Sequence, residues 1–291
     1  MTNLKHVVSF SGGRTSAYMA YLMKELHGDD VDFIFMDTGA EHPKTYEFLR
    51  KCDKHFDLNL TCLRGDFNQE RGKGHTYTLT SIQDVGPDNA PFAAMMRKYG
   101  TPTVNGAWCT SRMKQEIHDK YCDDMYGKGG YATWIGIRAD EPRRLGRLGQ
   151  DPAIRFLAEI SDATKNDILT WWAKQPFDLE IPEHLGNCVF CIKKSIAKLV
   201  QATKDEPELA AKFMECVSQA DDREDLNRGF PKEVMYRGRN SLQSLQGLGQ
   251  IASQEYLDRM TDVNHACKES CEVFDLGVQT TMFDDDEITE E

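Results

Sequence analysis

KHVVSFSGGRTSAYMAY, residues 5–21, decides the fold. An apolar run (Val7, Val8, Phe10) stops at Ser11-Gly12-Gly13, and a helical pattern follows, so the stretch reads as a strand, a tight glycine turn and a helix N-terminus. Two consecutive glycines let the backbone approach a ligand without Cβ clashes. The amide N–H groups of the first helical turn, Ser11, Ser16 and the helix dipole all point at an anion. That is a phosphate cradle. The plainer alternative is a Gly-Gly pair that closes a βα turn and does nothing more.

Working outward, a helix is predicted over 14–27, then a β-rich run VDFIFM (31–36) ending at Asp37-Thr38. A carboxylate at the C-terminal end of a second parallel strand sits on the ligand-binding rim of a doubly wound sheet; an N-cap is the other use of Asp37. Pro43 opens a second helix over 43–56, and LNLTCL (58–63) reads as the third strand. Residues 66–102 turn polar and read as a long excursion with His75 and Tyr77 in it, either toward substrate or merely solvated. ATWIGI (132–137) is the next strand, followed by Arg138, Asp140, Glu141, Arg143 and Arg144, a mixture of guanidinium and carboxylate groups that suits an oxyanion or a solvated charged loop. A helix over 164–174 carries Trp171 and Trp172 as packing residues. Two more helices break at Glu206-Pro207, and a Leu-spaced segment, SLQSLQGLGQI, is followed by a short helix to about 260. The pattern predicts an α/β fold with a doubly wound, mostly parallel sheet and a helical C-terminal region. Its expected divisions are a sheet domain with the phosphate cradle over 1–200, helices over 201–275 and an acidic, disordered tail over 276–291.

The 291 residues carry a net charge of −12, part of it in DDDEITEE (284–291), which argues against a nonspecific grip on a polyanion. Arg138, Arg143, Arg144, Arg147 and Lys193-Lys194 nevertheless form local basic clusters able to line one mouth. No signal stretch opens the chain and no run of eighteen apolar residues occurs, so a cytoplasmic protein with no membrane partner is expected. Nine cysteines in a reducing compartment point to metal, cluster or catalysis where they are closely spaced. Cys188 and Cys191 form a CxxC that turns two thiolates onto one centre, with Lys193-Lys194 beside them; iron–sulfur, zinc and a redox disulfide are the readings it allows. Cys109 precedes a helix next to Arg112 and Lys114, where a thiol should ionise readily. Cys267 and Cys271 are spaced i, i+4 near the C-terminus, and Cys52, Cys62, Cys122 and Cys216 are assigned to packing.

SGGRTS lacks the GK[ST] ending of a P-loop and the GxGxxG of a dinucleotide turn; it resembles the SGGxDS loop of the PP-loop adenine-nucleotide α-hydrolases, a HUP-type, Rossmann-like superfamily. FMDTGAEHPKTYEF (35–48), WCTSRMK (108–114), GIRADEPRR (136–144) and NCVFC (187–191) are similar to its phosphoadenosine phosphosulfate (PAPS) reductase-like branch, in that branch's order. The resemblance implies that Ser11, Gly12, Gly13, Arg14, Thr15, Ser16, Asp37 and Thr38 bind an adenine nucleotide, ATP or else PAPS or its non-3′-phosphorylated relative (APS). It implies that Cys109, Arg138, Asp140, Glu141 and Arg143 act on it. It also implies a [4Fe–4S] cluster, with zinc as the alternative, on Cys109, Cys188, Cys191 and a fourth ligand, best Cys271. The expected activity is ATP-dependent sulfur transfer to a nucleic-acid or small-molecule acceptor. One alternative is a sulfonucleotide reductase that releases sulfite with a thiol reductant protein, and another is a noncatalytic nucleotide-sensing or DNA-modification partner subunit. The intact SGG favours ATP. Thr15 stands where typical members carry the aspartate that helps place Mg²⁺, a departure that bears on metal placement.

Overall fold

The computed structural model describes residues 4–70, 72–148, 151–220, 231–253 and 255. Six strands form one sheet in the order β4-β3-β2-β1-β5-β6: β1 Lys5–Ser9, β2 Val31–Asp37, β3 Thr61–Phe67, β4 His75–Thr80, β5 Tyr131–Ile135 and β6 Ile154–Phe156. Every pairing is parallel except β3 with β4. Helices α1 Arg14–His27, α2 Pro43–Phe56, α3 Ala90–Tyr99, α5 Glu116–Tyr126, α6 Pro142–Leu148 and α7 Lys165–Trp172 fill the connections; a helical turn, α4 Trp108–Thr110, runs through a π-helical segment Ser111–Gln115 into α5. Helices α8 Ile196–Asp205, α9 Pro207–Ser218 and α10 Leu242–Ile251 follow.

Strand alternation explains why helices cover both faces. Val8, Phe33 and Phe35 face one side and pack with Ala17, Met19 and Ala20 of α1 and Phe48 and Leu49 of α2. Their neighbours Val7, Ile34 and Met36 face the other and pack with Ile117, Tyr121 and Cys122 of α5. The doubly wound, mostly parallel α/β sheet predicted from the sequence is thus the observed fold.

Local departures have physical causes. The third strand begins at Thr61 because Asp57 and Asn59 take positive φ (50° and 53°) and the chain turns there, Leu60 N–H donating to Asp53 Oδ1 at 2.8 Å. The excursion over 66–102 contains β4 and α3. Strand β4 is an edge strand with only His75 buried, so HTYTLT shows no apolar alternation to read. The boundary expected at residue 200 falls inside α8, and Ala210, Phe213, Val217, Leu242 and Leu245 join the same core as β1 and β2. Cys267, Cys271 and the acidic tail lie outside the described residues.

Trp172 ties this core to the glycine turn. It is 1 % exposed, stands edge-on to Phe48 with ring centroids 4.9 Å apart, and donates its indole N–H to the Arg14 carbonyl at 3.0 Å. Trp172→Ala should lower stability by about 3–5 kcal/mol in urea denaturation, and Trp172→Phe by less, through loss of the indole hydrogen bond to the Arg14 carbonyl and of part of the buried ring. Glu183 spans two helices, accepting from Lys165 of α7 at 2.9 Å and Lys198 of α8 at 2.7 Å. Burial disfavours its ionised form, but the hydrogen bonds and charges of Lys198 and Lys165 outweigh that and hold its carboxyl below the usual value. The unfolded carboxyl has the higher pKa, so the bridge stabilises fully above about pH 5 and its contribution, about 1 kcal/mol for so exposed a pair, disappears as pH falls through the folded value. Glu183→Gln should flatten that segment of the stability-versus-pH curve.

Candidate functional site

Strand β1 lies between β2 and β5, so the chain winds outward to one side after β1 and to the other from β5 onward. In an open parallel sheet the crevice at such a reversal, outside the carboxyl ends of the strands, is where ligands bind. Ser11-Gly12-Gly13 stands there. Gly12 has φ +79°, and a Cβ on it would meet the Thr45 methyl at 2.8 Å, so both backbone conformation and space require glycine. Ser11 N–H donates to Ser16 Oγ (3.2 Å), the two hydroxyls lie 3.0 Å apart, and Ser16 Oγ donates to the Gly13 carbonyl at 3.0 Å. The turn is closed by its own serines, and α1 starts at Gly13 without a side-chain cap. Among the described residues the buried hydroxyl of Thr45 has no hydrogen-bond partner. Arg14, expected at the phosphates, is directed elsewhere: its guanidinium forks onto Asp178 (2.7 and 3.1 Å) and the Leu179 carbonyl.

Across the crevice, the chain leaving β5 packs tightly on α1; a Cβ on Gly136 would lie 3.3 Å from Ser16 N. Arg138, 4 % exposed, donates Nη1–H to Thr15 Oγ1 (3.4 Å) and Nε–H to Asp140 Oδ1 (2.8 Å), with Glu141 Oε2 3.6 Å away. Burial opposes ionisation of Asp140, yet the hydrogen bond and charge of Arg138 hold its carboxyl below the usual range. Glu141 is buried and also accepts from Arg144 at 2.9 Å, whereas Arg143 is exposed. The structure therefore brings Arg138, Asp140 and Glu141 together beside Thr15.

Asp37 is 1 % exposed and both its oxygens are committed. Oδ1 accepts from Gly39 N–H (2.9 Å) and the Tyr46 hydroxyl (2.8 Å), and Oδ2 accepts from Arg64 at 2.7 Å. Burial first, and then Glu41, push its carboxyl up, while Arg64 works the other way. It caps no helix, since His42 caps α2. Thr38 donates to Glu41 Oε2 at 2.6 Å and lies 3.6 Å from Cys188 Sγ, which is 3.7 Å from Glu41 Oε1; Lys114 Nζ stands 3.6 Å from the same oxygen.

The CxxC turn is thus laid against the end of β2. Glu41 and Cys188 pair as an antiparallel bridge, Val189 N–H donates to the Ala40 carbonyl (3.0 Å) and Cys191 N–H to the Cys188 carbonyl (3.1 Å). Lys194, read from sequence as part of a basic mouth, is buried and donates to the His184 (2.6 Å) and Val189 (2.9 Å) carbonyls. Tyr236 is buried, donates to the Phe190 carbonyl at 3.0 Å, and has its hydroxyl pKa raised by burial and then by Cys191 and Cys188. Cys109 sits in α4, just ahead of the π-helical segment that leads into α5. Cys109, Cys188 and Cys191 do not form a cage: among the described residues no group of three or more His, Cys, Asp or Glu side chains is placed to hold a metal ion, and Cys271 lies outside them. The packing thiols behave as expected, burial pushing Cys62 up to about 12 and Cys216 to about 11.

Sequence reasoning missed Glu41, Thr45, Tyr46, Arg64 and Tyr236. Glu41, Thr45 and Tyr46 stand within the stretch 35–48 already singled out, where a carboxylate and a phenol among apolar residues were the available signal. Arg64 and Tyr236 carry no local signal.

Among the described residues no helix is long and apolar enough to cross a membrane. The chain is similar to the uncharacterized nin region protein ORF290 of Escherichia phage lambda, 50% identical over 92% of this chain and 95% of that protein. It is also similar to two uncharacterized proteins of Methanocaldococcus jannaschii. These are MJ0066, 20% identical over 81% of this chain, and MJ0973, 25% identical over 76%. The aligned region spans about half of each archaeal protein, 46% and 50%. Residues 5–150, which hold β1 through β5, the glycine turn and Arg138, match the phosphoadenosine phosphosulfate reductase domain. That match covers half of the chain, which belongs to the phosphoadenosine phosphosulfate reductase domain family.

Proposed function

We propose that this chain binds an adenine nucleotide at the Ser11–Ser16 turn and uses it in sulfur transfer, ATP being the nucleotide that the intact Ser-Gly-Gly favours. The observation that carries the reading is the placement of a glycine turn, an uncapped helix N-terminus and a buried guanidinium at the one point where the sheet reverses its winding. Backbone amides of α1 and the Arg138 fork bind phosphate oxygens. Asp140 and Glu141 hold that fork in place, and the chain leaving β2 at Thr38 borders the site. Sulfur chemistry falls to the thiols of the Cys188–Cys191 turn, which Thr38 and Glu41 join to the same sheet edge. In this reading the thiols of that turn are the groups that meet sulfur, directly or as ligands of an iron–sulfur or zinc centre.

A second reading, a sulfonucleotide reductase that releases sulfite from PAPS or APS, is favoured by Thr15, which faces Arg138 where a carboxylate would serve a metal–triphosphate. ATP–pyrophosphate exchange supports the first reading, and sulfite release from labelled PAPS with a thiol reductant supports the second.

Gly12→Ala forces a side chain into positive φ and onto Thr45. It should weaken ATP binding about tenfold or more in calorimetry, a loss of about 1.4 kcal/mol. Unchanged affinity removes the turn from the binding site. Cys188→Ser should abolish sulfur transfer while leaving nucleotide affinity within about twofold, a change of less than 0.5 kcal/mol.

A further inference from the structure

We infer that the phosphates bind at this turn without a divalent cation, their charge met by the Arg138 guanidinium and the α1 amides. The inference rests on the nucleotide reading above and names the ionic form of the ligand, a metal-free adenine nucleotide.

Magnesium at a phosphate site is held by one or two carboxylates or hydroxyls with an oxygen to give it. The described residues around the turn do not fit that requirement. Asp37 accepts from Arg64, and Glu41 lies against Lys114 and accepts from Thr38. Asp140 accepts from Arg138, Glu141 is paired with Arg138 and Arg144, and Asp178 holds the fork of Arg14. Each of these five carboxylates already has a fixed cation. Recruiting one of them to a metal would strand a buried or half-buried Arg or Lys, and removing one partner of a buried pair is strongly destabilising. Of the two hydroxyls on the helix's first turn, Thr15 Oγ1 accepts from Arg138, and Ser16 Oγ accepts from Ser11 N–H and donates to the Gly13 carbonyl. The position therefore presents a guanidinium where a carboxylate would have presented a metal.

What remains suits bare phosphate oxygens. A guanidinium offers planar, paired donors to an oxyanion and stays charged at every working pH. The contact from Arg138 to Thr15, at 3.4 Å, is long for a hydrogen bond, so a phosphate oxygen competes for that N–H at little cost.

The full chain is titrated with ATP in calorimetry, once in EDTA and once with excess Mg²⁺, and the EDTA arm is repeated with inorganic pyrophosphate. The expected result is an ATP affinity in EDTA equal to that with Mg²⁺ within about threefold, with pyrophosphate competing in EDTA. In Arg138→Gln, checked for folding by circular dichroism, EDTA binding should fall about tenfold or more, about 1.4 kcal/mol. Binding about tenfold tighter with Mg²⁺ overturns the inference and leaves the nucleotide reading standing, as does a folded Arg138→Gln with unchanged EDTA affinity. Binding under neither condition overturns the nucleotide reading and this inference with it. The wild-type comparison decides the matter even where the variant does not fold.

Discussion

The carboxylate of Asp37, at the end of a central strand and almost wholly out of water, is the constraint from which the rest of this sheet edge follows. A charge in that position is tolerated only where hydrogen bonds replace the lost hydration. Three separate elements supply them: the turn after β2 through Gly39, helix α2 through Tyr46, and strand β3 through Arg64. Arg64 in turn reaches Asp88, which draws the segment ahead of α3 onto the same edge. Gly39 belongs to this arrangement for steric reasons, since with φ +72° a Cβ there would lie 2.7 Å from Asp88 Oδ1 and 2.9 Å from Asn89 N. One ion thus sets the relative positions of β2, β3, α2 and the approach to α3.

From that hub the order passes to the thiol turn. Tyr46 lies within hydrogen-bond distance of Asp37 Oδ1 (2.8 Å) and Glu41 Oε2 (3.2 Å), and its single proton serves one of them at a time. Thr38 supplies the remaining donor to Glu41, and Glu41 lies against Cys188. Changes at the thiol turn are therefore felt at the strand end through a short chain of buried polar contacts. Such contacts are strong when complete and costly when broken.

How much of this was legible in the sequence differs by level. The sheet winding was legible because VVSF and VDFIFM are apolar runs closed by turn residues, and β1, β2, α1 and α2 fall within two residues of where periodicity puts them. Strand β4 was not, because an edge strand with one buried residue has no apolar face to betray it. Among site residues, the turn and Arg138 were legible from local chemistry. The directions of Arg14 and Lys194 were not, since Asp178 and the His184 carbonyl that claim them are distant in sequence or carry no side-chain signal. A basic residue beside an anion motif advertises charge, while the partner that absorbs the charge is settled only by tertiary packing.

The same logic gives the C-terminal helices a role beyond filling the core. The CxxC turn is short and makes few backbone bonds of its own, so its shape depends on what surrounds it. On one side the end of β2 supplies a bridge at Glu41 and the Ala40 carbonyl. On the other, Tyr236 donates to the Phe190 carbonyl between the two cysteines, and Arg237 reaches the Lys193 (3.3 Å) and Lys194 (3.2 Å) carbonyls just after them. Buried carbonyls left without donors would cost about 1–3 kcal/mol each, so the segment around Tyr236 acts as a brace that holds the turn in one conformation. A pair of thiols three residues apart can meet a substrate in a single geometry only if the peptide between them is fixed. Here the fixing groups come from both ends of the chain, and for that reason the parallel sheet and the helical C-terminal region work as one unit.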